Sequence, residues 1–150
     1  MAPEEFQPYR NRMWIAVLSL VGLFIALYLL AHSLGLMGPV LCGIGDCAAV
    51  EASPYSRMWG IPVSAFGVVG YVLLLALSLA GLQPRLAEAR FVPALLTSGA
   101  VVGFGFSVYL TYLEAYVIRA WCQWCVISAI LMTLVFFLSF PEPGRLRRAR

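Results

Sequence analysis

The chain has no lysine, a single histidine and no glycine-rich loop of the kind that cradles a phosphate or a dinucleotide. The last two of these close off a class of function each. His32 has no second imidazole to join it at a metal, so no metal site is expected. Gly43 and Gly45 alone do not make a nucleotide fingerprint, which leaves nucleotide chemistry without support. Internal repeats and low-complexity tracts are missing too. The apolar stretches lack the strict alternation of spanning β-strands and are about twice the length such strands need, which excludes a β-barrel.

What is present is apolar: hydrophobic residues make up 62% of 150 positions, well above the share in soluble proteins. They gather in four runs, approximately Met13 to Ala31, Ile61 to Leu82, Phe91 to Val117 and Cys122 to Phe140. Each is near or above the roughly 20 residues that cross a hydrocarbon core as helix. The expectation is an all-α, integral membrane four-helix bundle, a single domain over residues 1–150, whose first outer loop carries a cysteine pair. The first run follows Arg10 and Arg12, as a secretory signal would. It is longer than a typical signal core and no small-residue cleavage site follows before Leu41, so it reads as a retained helix.

The ten positive residues are all arginine and fall unevenly. Arg10, Arg12, Arg85, Arg90, Arg145, Arg147, Arg148 and Arg150 lie on one side of a four-span arrangement, Arg57 and Arg119 on the other. The positive-inside rule then puts both termini in the cytoplasm. The net charge of +3 requires no nucleic-acid partner, because the cluster from Arg145 to Arg150 has the character of an anchor beside anionic lipid. Between the spans, His32 to Gly60 forms the one sizeable loop, punctuated by Gly38, Pro39, Gly43, Gly45 and Pro54, with a short surface helix expected over Ala48 to Ala52. Pro84 stops a helix in the inner connection, Gln83 to Arg90. Ile118 to Trp121 is so short that the third and fourth helices must pack antiparallel. Gly99, Ala100, Gly103, Gly105 and Ser107 on the third span are a signal of close helix packing.

All four cysteines fall at or near one boundary: Cys42 and Cys47 in the first outer loop, Cys122 and Cys125 where the fourth run begins. Packing cysteines would scatter through the apolar runs. Clustering favours redox use where disulfides persist. The C-x-x-C spacing puts both sulfurs on one helix face, at an N-terminus whose unpaired N–H groups and dipole favour a thiolate. Trp121 and Trp124 flank it and place it near headgroup depth, within reach of lipid-dissolved substrates. Cys42 and Cys47 sit on a glycine-containing loop able to meet a soluble dithiol and then a helical cysteine, which suggests a relay by thiol–disulfide exchange. Two static disulfides remain an alternative, weakened because C-x-x-C within one helical turn is a poor staple. A four-thiolate zinc site is a weaker one, since one pair begins a membrane helix.

Several features together carry a resemblance. Ser53 follows the second loop cysteine by six residues; then come Gly60-Ile61-Pro62, Phe66-Gly67, Tyr71, Tyr109-Leu110 and Trp121-Cys122-Gln123-Trp124-Cys125. From about Leu41 to Ala129 the chain resembles the vitamin K epoxide reductase family, especially its bacterial homologues. The resemblance implies a four-helix bundle around a quinone, ubiquinone or menaquinone. Cys122 and Cys125 would be the quinone-facing pair and Cys42 with Cys47 the shuttle, Cys125 lying closest to the quinone and Cys122 exchanging with the loop. The candidate quinone-contacting residues are Ser53, Phe66, Leu110, Tyr112, Glu114 and Ala129. Vertebrate members carry an asparagine early in the second helix and a tyrosine after the C-x-x-C, where this chain has Val63 and Ala129. Plain quinone reduction coupled to disulfide formation is therefore favoured over epoxide reduction. Many bacterial relatives have a fused thioredoxin-like domain; here the expected partner is a separate thioredoxin-like or DsbA-like dithiol protein, at a bacterial inner membrane with the cysteines outside.

Glu114, an ionisable residue within a span, is a candidate proton donor to the reduced quinone, or else it snorkels to water. Tyr109, Tyr112 and Tyr116 read first as interface anchors. Ser53 stands either beside the redox centre or as a turn cap before Pro54. A DsbB-like oxidase is a rival reading, but that family carries its quinone-facing C-x-x-C in the first outer loop. A reductase moving electrons outward would want thiols within the spans. A disulfide-stapled scaffold would leave all four sulfurs inert to mild reductant.

Overall fold

The apolar runs become long helices because a helix satisfies its own backbone hydrogen bonds, which hydrocarbon cannot do. A computed structural model describes residues 3–87 and 89–140. Helix α1 spans Pro3–Ser33, α3 Val63–Ala80, α5 Phe91–Tyr112 and α6 Gln123–Ser139. Short helices lie between them: α2, Cys47–Ala52, in the connection between α1 and α3, and α4, Pro84–Ala87, in the connection between α3 and α5. Arg10–Ser33, Val63–Ala80 and Phe91–Ile118 are long and apolar enough to cross a membrane, and Gln123–Ser139 is a shorter apolar helix. The expected boundaries shift accordingly. The first helix starts well before Met13, the second begins at Val63 rather than Ile61, and the fourth begins one residue after Cys122. The arginine cluster at Arg145 to Arg150 lies outside the described residues.

One element departs from an all-α chain. Arg57–Met58 (β1) and Ile61–Pro62 (β2) pair antiparallel as a minimal hairpin, with Trp59 and Gly60 at its tip, both at positive φ. Pro62 then serves as the residue before α3, where its missing N–H costs nothing. The short surface helix expected at Ala48 to Ala52 is present as α2. Asp46 caps it, its side chain accepting from the Ala49 amide at 3.0 Å.

The four long helices pack in a ring, α1 against α3 and α6, and α5 against α3 and α6. Their core contains Ile15, Ala26, Tyr71, Leu74, Leu96, Ala100, Met132 and Val135. Small residues set the close approaches. A Cβ on Gly22 would lie 2.3 Å from the Tyr71 ring, and one on Gly103 would lie 2.7 Å from the Met132 sulfur. Outward faces are apolar as well, with Phe24, Val102 and Phe137 all exposed. A surface of that kind suits a lipid solvent, and the chain is a helical protein of multi-pass membrane type.

One end of the ring is held by polar bonds. Buried Arg12 donates to the carbonyl of Gly81 just past α3, and Asn11 donates to Leu138 O at the end of α6. This is where cations belong, among helix C-terminal carbonyls. The chain's N-terminal side and the end of α6 therefore share one end of the bundle, and all four cysteines lie at the other.

Candidate thiol redox site

Helix α5 does not stop cleanly at Tyr112. Leu113–Ile118 continues it as a wider π-type turn, and Arg119 ends it in the left-handed conformation, φ 58°. Such widened turns re-aim side chains and recur at functional sites. Here the turn brings Glu114 inward, where it is only 4% exposed, and its Oε2 accepts from the Cys122 amide at 3.3 Å. The left-handed residue reverses the chain so that Ala120, Trp121 and Cys122 run back toward the start of α6. Ala120 N donates to Glu114 O at 3.2 Å on the way.

Cys122 is the N-cap of α6, and its sulfur accepts from the Cys125 amide at 3.3 Å. The Cys125 side chain and the amides of Cys125 and Trp124 hold the Cys122 thiol below its ordinary value, against burial and the Glu114 carboxylate. The Cys125 thiol stands between two acceptors, the Cys122 sulfur and Glu114. Both helical cysteines are free thiols, while Cys42 and Cys47 form a disulfide with a Cα–Cα separation of 5.9 Å. Cys47 and Cys122 are both 0% exposed and belong to one buried cluster together with Val50 of α2. Cys42 keeps partial exposure.

The loop is bound to the C-x-x-C segment directly. Asp46 N donates to Trp121 O at 2.8 Å, and Gly45 pairs with Cys122 as an isolated bridge. Gly45 sits at φ +92°, and a Cβ there would fall 2.4 Å from Trp121 O, so both conformation and space require glycine. Gln123 Oε1 accepts from the amides of Gly43 and Ile44, and Trp124 Nε1 donates to Leu41 O.

Inward of the cysteines is an apolar cavity of about 150 Å³, room for one benzene-sized ring. Cys125 lines it, and Cys122 is not among the lining residues. Of the residues expected around a quinone, Ser53, Phe66, Leu110, Glu114 and Ala129 line this cavity. Tyr112 does not: it is 55% exposed, stacks near Tyr116 at 5.3 Å, and borders a groove on the outer side of α5 and α6. At one residue short of the π-type turn, its place on α5 points it outward. The Ser53 hydroxyl donates to Val50 O at 2.7 Å, closing α2 beside the cavity rather than only capping the turn at Pro54.

Sequence reasoning passed over several participants. Tyr71, noted only as part of a pattern, hydrogen-bonds to Ser128 across the cavity wall, its hydroxyl 2.8 Å from Ser128 Oγ. Ser64 lines the cavity with a hydroxyl that has no hydrogen-bond partner among the described residues. Glu51, also on the wall, accepts from Ser33 at 2.7 Å. Nothing in their spacing separates them from ordinary helix and loop residues; only the convergence of elements does.

Packed apolar helices that carry a disulfide and a dithiol at one end define a class, the helical membrane proteins with redox-capable thiols. Residues 13–140 match the vitamin K epoxide reductase family, and the chain belongs to it. Membership makes it an oxidoreductase of the membrane.

Proposed function

We propose that the chain oxidises the dithiol of a separate thioredoxin-like or DsbA-like protein and passes the two electrons to a quinone, ubiquinone or menaquinone. One observation carries this reading: Cys125 faces a ring-sized apolar cavity, while Cys122, its neighbour on the same helix turn, is buried with Cys47 of the loop disulfide. The site thus has one sulfur toward the lipid-soluble reactant and another toward the shuttle.

The partly exposed Cys42 takes the attack of the partner's thiolate, and Cys47 leaves as a thiolate. The partner's second thiol displaces Cys42, so the partner departs as a disulfide and the loop is left as a dithiol. Cys47 then attacks Cys122 of the oxidised helical pair and Cys125 leaves. Cys42 closes on Cys47, leaving Cys122 and Cys125 reduced. That final arrangement, loop oxidised and helical pair reduced, is the one described above. The quinone supplies the two-electron sink. Glu114 accepts the proton of Cys125 and returns it toward the cavity. Ser64 offers its unpartnered hydroxyl to a ring oxygen, and Phe66, Leu110 and Ala129 form the apolar wall.

Val63 and Ala129 both line the cavity, where vertebrate relatives carry an asparagine and a tyrosine. That apolar wall supports quinone reduction over epoxide reduction. The arginine distribution supports cytoplasmic termini and cysteines at the outer face of a bacterial inner membrane, where disulfides persist.

The test is anaerobic. Purified protein with a reduced dithiol protein and a short-chain quinone is expected to form hydroquinone and partner disulfide in equal amounts, and Cys122→Ala to abolish both. Glu114→Gln is expected to slow hydroquinone formation about 100-fold, the usual loss for a removed proton carrier. Absence of hydroquinone with the wild-type chain overturns the proposal.

A further inference from the structure

The two residues between the helical cysteines are ordinarily read as spacers. Here they face the loop that carries the other pair. Gln123 Oε1 accepts from Gly43 N at 2.9 Å and from Ile44 N at 3.1 Å. Trp124 Nε1 donates to Leu41 O at 2.8 Å, and Leu41 N donates in turn to the Tyr28 hydroxyl at 3.2 Å. Tyr28 lies against Trp124, ring centroids 5.2 Å apart. From Leu41 to Asp46 the loop is thus laid along Trp121 to Trp124 by its own backbone.

Apart from Cys42, which packs against the buried Cys47–Cys122 cluster, side-chain burial does little to hold it there. Leu41 is 76% exposed and Ile44 is 79% exposed, so the apolar groups on either side of Cys42 point away from the protein. The position of this stretch rests on backbone hydrogen bonds, and a single side chain, that of Gln123, supplies the acceptor for two of them. The next residues along the chain are capped Asp46 and buried Cys47, so the same contacts set how Cys47 meets Cys122.

We propose that Gln123 is a positioning residue for exchange between the two cysteine pairs, docking the loop through the amides of Gly43 and Ile44. The inference rests on the relay described under the proposed function. The step it serves is balanced within the chain. Cys47 thiolate attacks Cys122, the Cys122–Cys125 bond breaks, and Cys42 closes on Cys47. Two electrons and two protons pass from the loop pair to the helical pair. The reverse migration runs through the same geometry.

The full chain tests this without a partner. All four cysteines are reduced, one equivalent of a short-chain quinone is added anaerobically, and samples are quenched with maleimide and mapped for disulfides. In the wild type the Cys122–Cys125 bond is expected first, followed by migration to Cys42–Cys47. Gln123→Met, of similar shape without an acceptor, is expected to leave the first step unchanged and to slow migration about tenfold, the loss of two ordinary hydrogen bonds. Gln123→Glu, which keeps the acceptor, is expected to migrate close to the wild-type rate. An unchanged first step also shows that the variant is folded.

Migration in Gln123→Met equal to wild type overturns the inference. So does a slowed first step, which would place the effect on the helical pair itself, or equal slowing in Gln123→Met and Gln123→Glu, which would make it packing. A parallel arm uses the thiol oxidant diamide in place of quinone. Failure of quinone alone then counts against the proposed function, while the migration comparison still decides the role of Gln123.

Discussion

Cys122 gains its character from where the chain puts it. As the N-cap of α6 it receives the Cys125 amide and the Cys125 side chain, and these outweigh burial and the adjacent Glu114 carboxylate. A thiol held below its ordinary value keeps its thiolate as pH falls. With Cys42 and Cys47 replaced by serine, the ultraviolet absorbance of the thiolate should therefore titrate below pH about 8.5, the free-cysteine value. A midpoint at or above that value would remove thiolate stabilisation from the mechanism. The motif alone put the pair at a helix N-terminus that favours a thiolate. The partners were not legible: Glu114 reaches the Cys122 amide only because the π-type turn rotates it inward. Ser64 and Gln123 carry no local signal that marks them out, since a serine in a helix and a residue between two cysteines are common.

At the level of helices, the small residues decide how closely the bundle closes. The third span's glycines were expected to do this, and they divide. Gly103 meets Met132 and Gly99 meets Leu74, while nothing lies within 4 Å of a Cβ at Gly105. The tightest approach involves a residue outside that group, Gly22 on α1, against which the Tyr71 ring lies. Gly22→Ala is expected to lower stability by about 1–3 kcal/mol, as overpacking does. It should also push Tyr71 away from Ser128, enlarging or distorting the cavity wall. Thermal unfolding in detergent and the affinity for a short-chain quinone measure the two effects. A variant of wild-type stability and affinity would show that α1 and α3 do not depend on this contact. The element boundaries were legible from hydropathy to within a few residues on α3 and α6. The hairpin at Arg57 to Pro62 was not, because two-residue strands leave no periodic trace.

At the scale of the molecule, the ring of helices has two chemically distinct ends. Arg12 and Asn11 hold one through the carbonyls of Gly81 and Leu138, and the four cysteines occupy the other. In the proposed orientation, which follows the arginine bias, the first end faces the cytoplasm. In intact cells an impermeant maleimide is expected to reach reduced Cys42 without permeabilisation, and to reach a cysteine introduced by Gln83→Cys, at an exposed inner connection, only after it. Labelling of both from the same side would dismantle the membrane arrangement and the relay with it.

By itself the sequence determined the solvent and the kind of chemistry. Apolar runs of helical length leave a bilayer as the fitting environment, and four cysteines in two spaced pairs point to redox use of thiols, since both properties reside in composition and short-range spacing. Only the tertiary structure decided which sulfur faces what. Cys47 meets Cys122, Cys125 meets the cavity, and Tyr112 turns away from it, because those relations join residues far apart in the chain through a left-handed reversal, a widened helical turn and a docked loop. No local pattern encodes the distance between segments that only packing brings together.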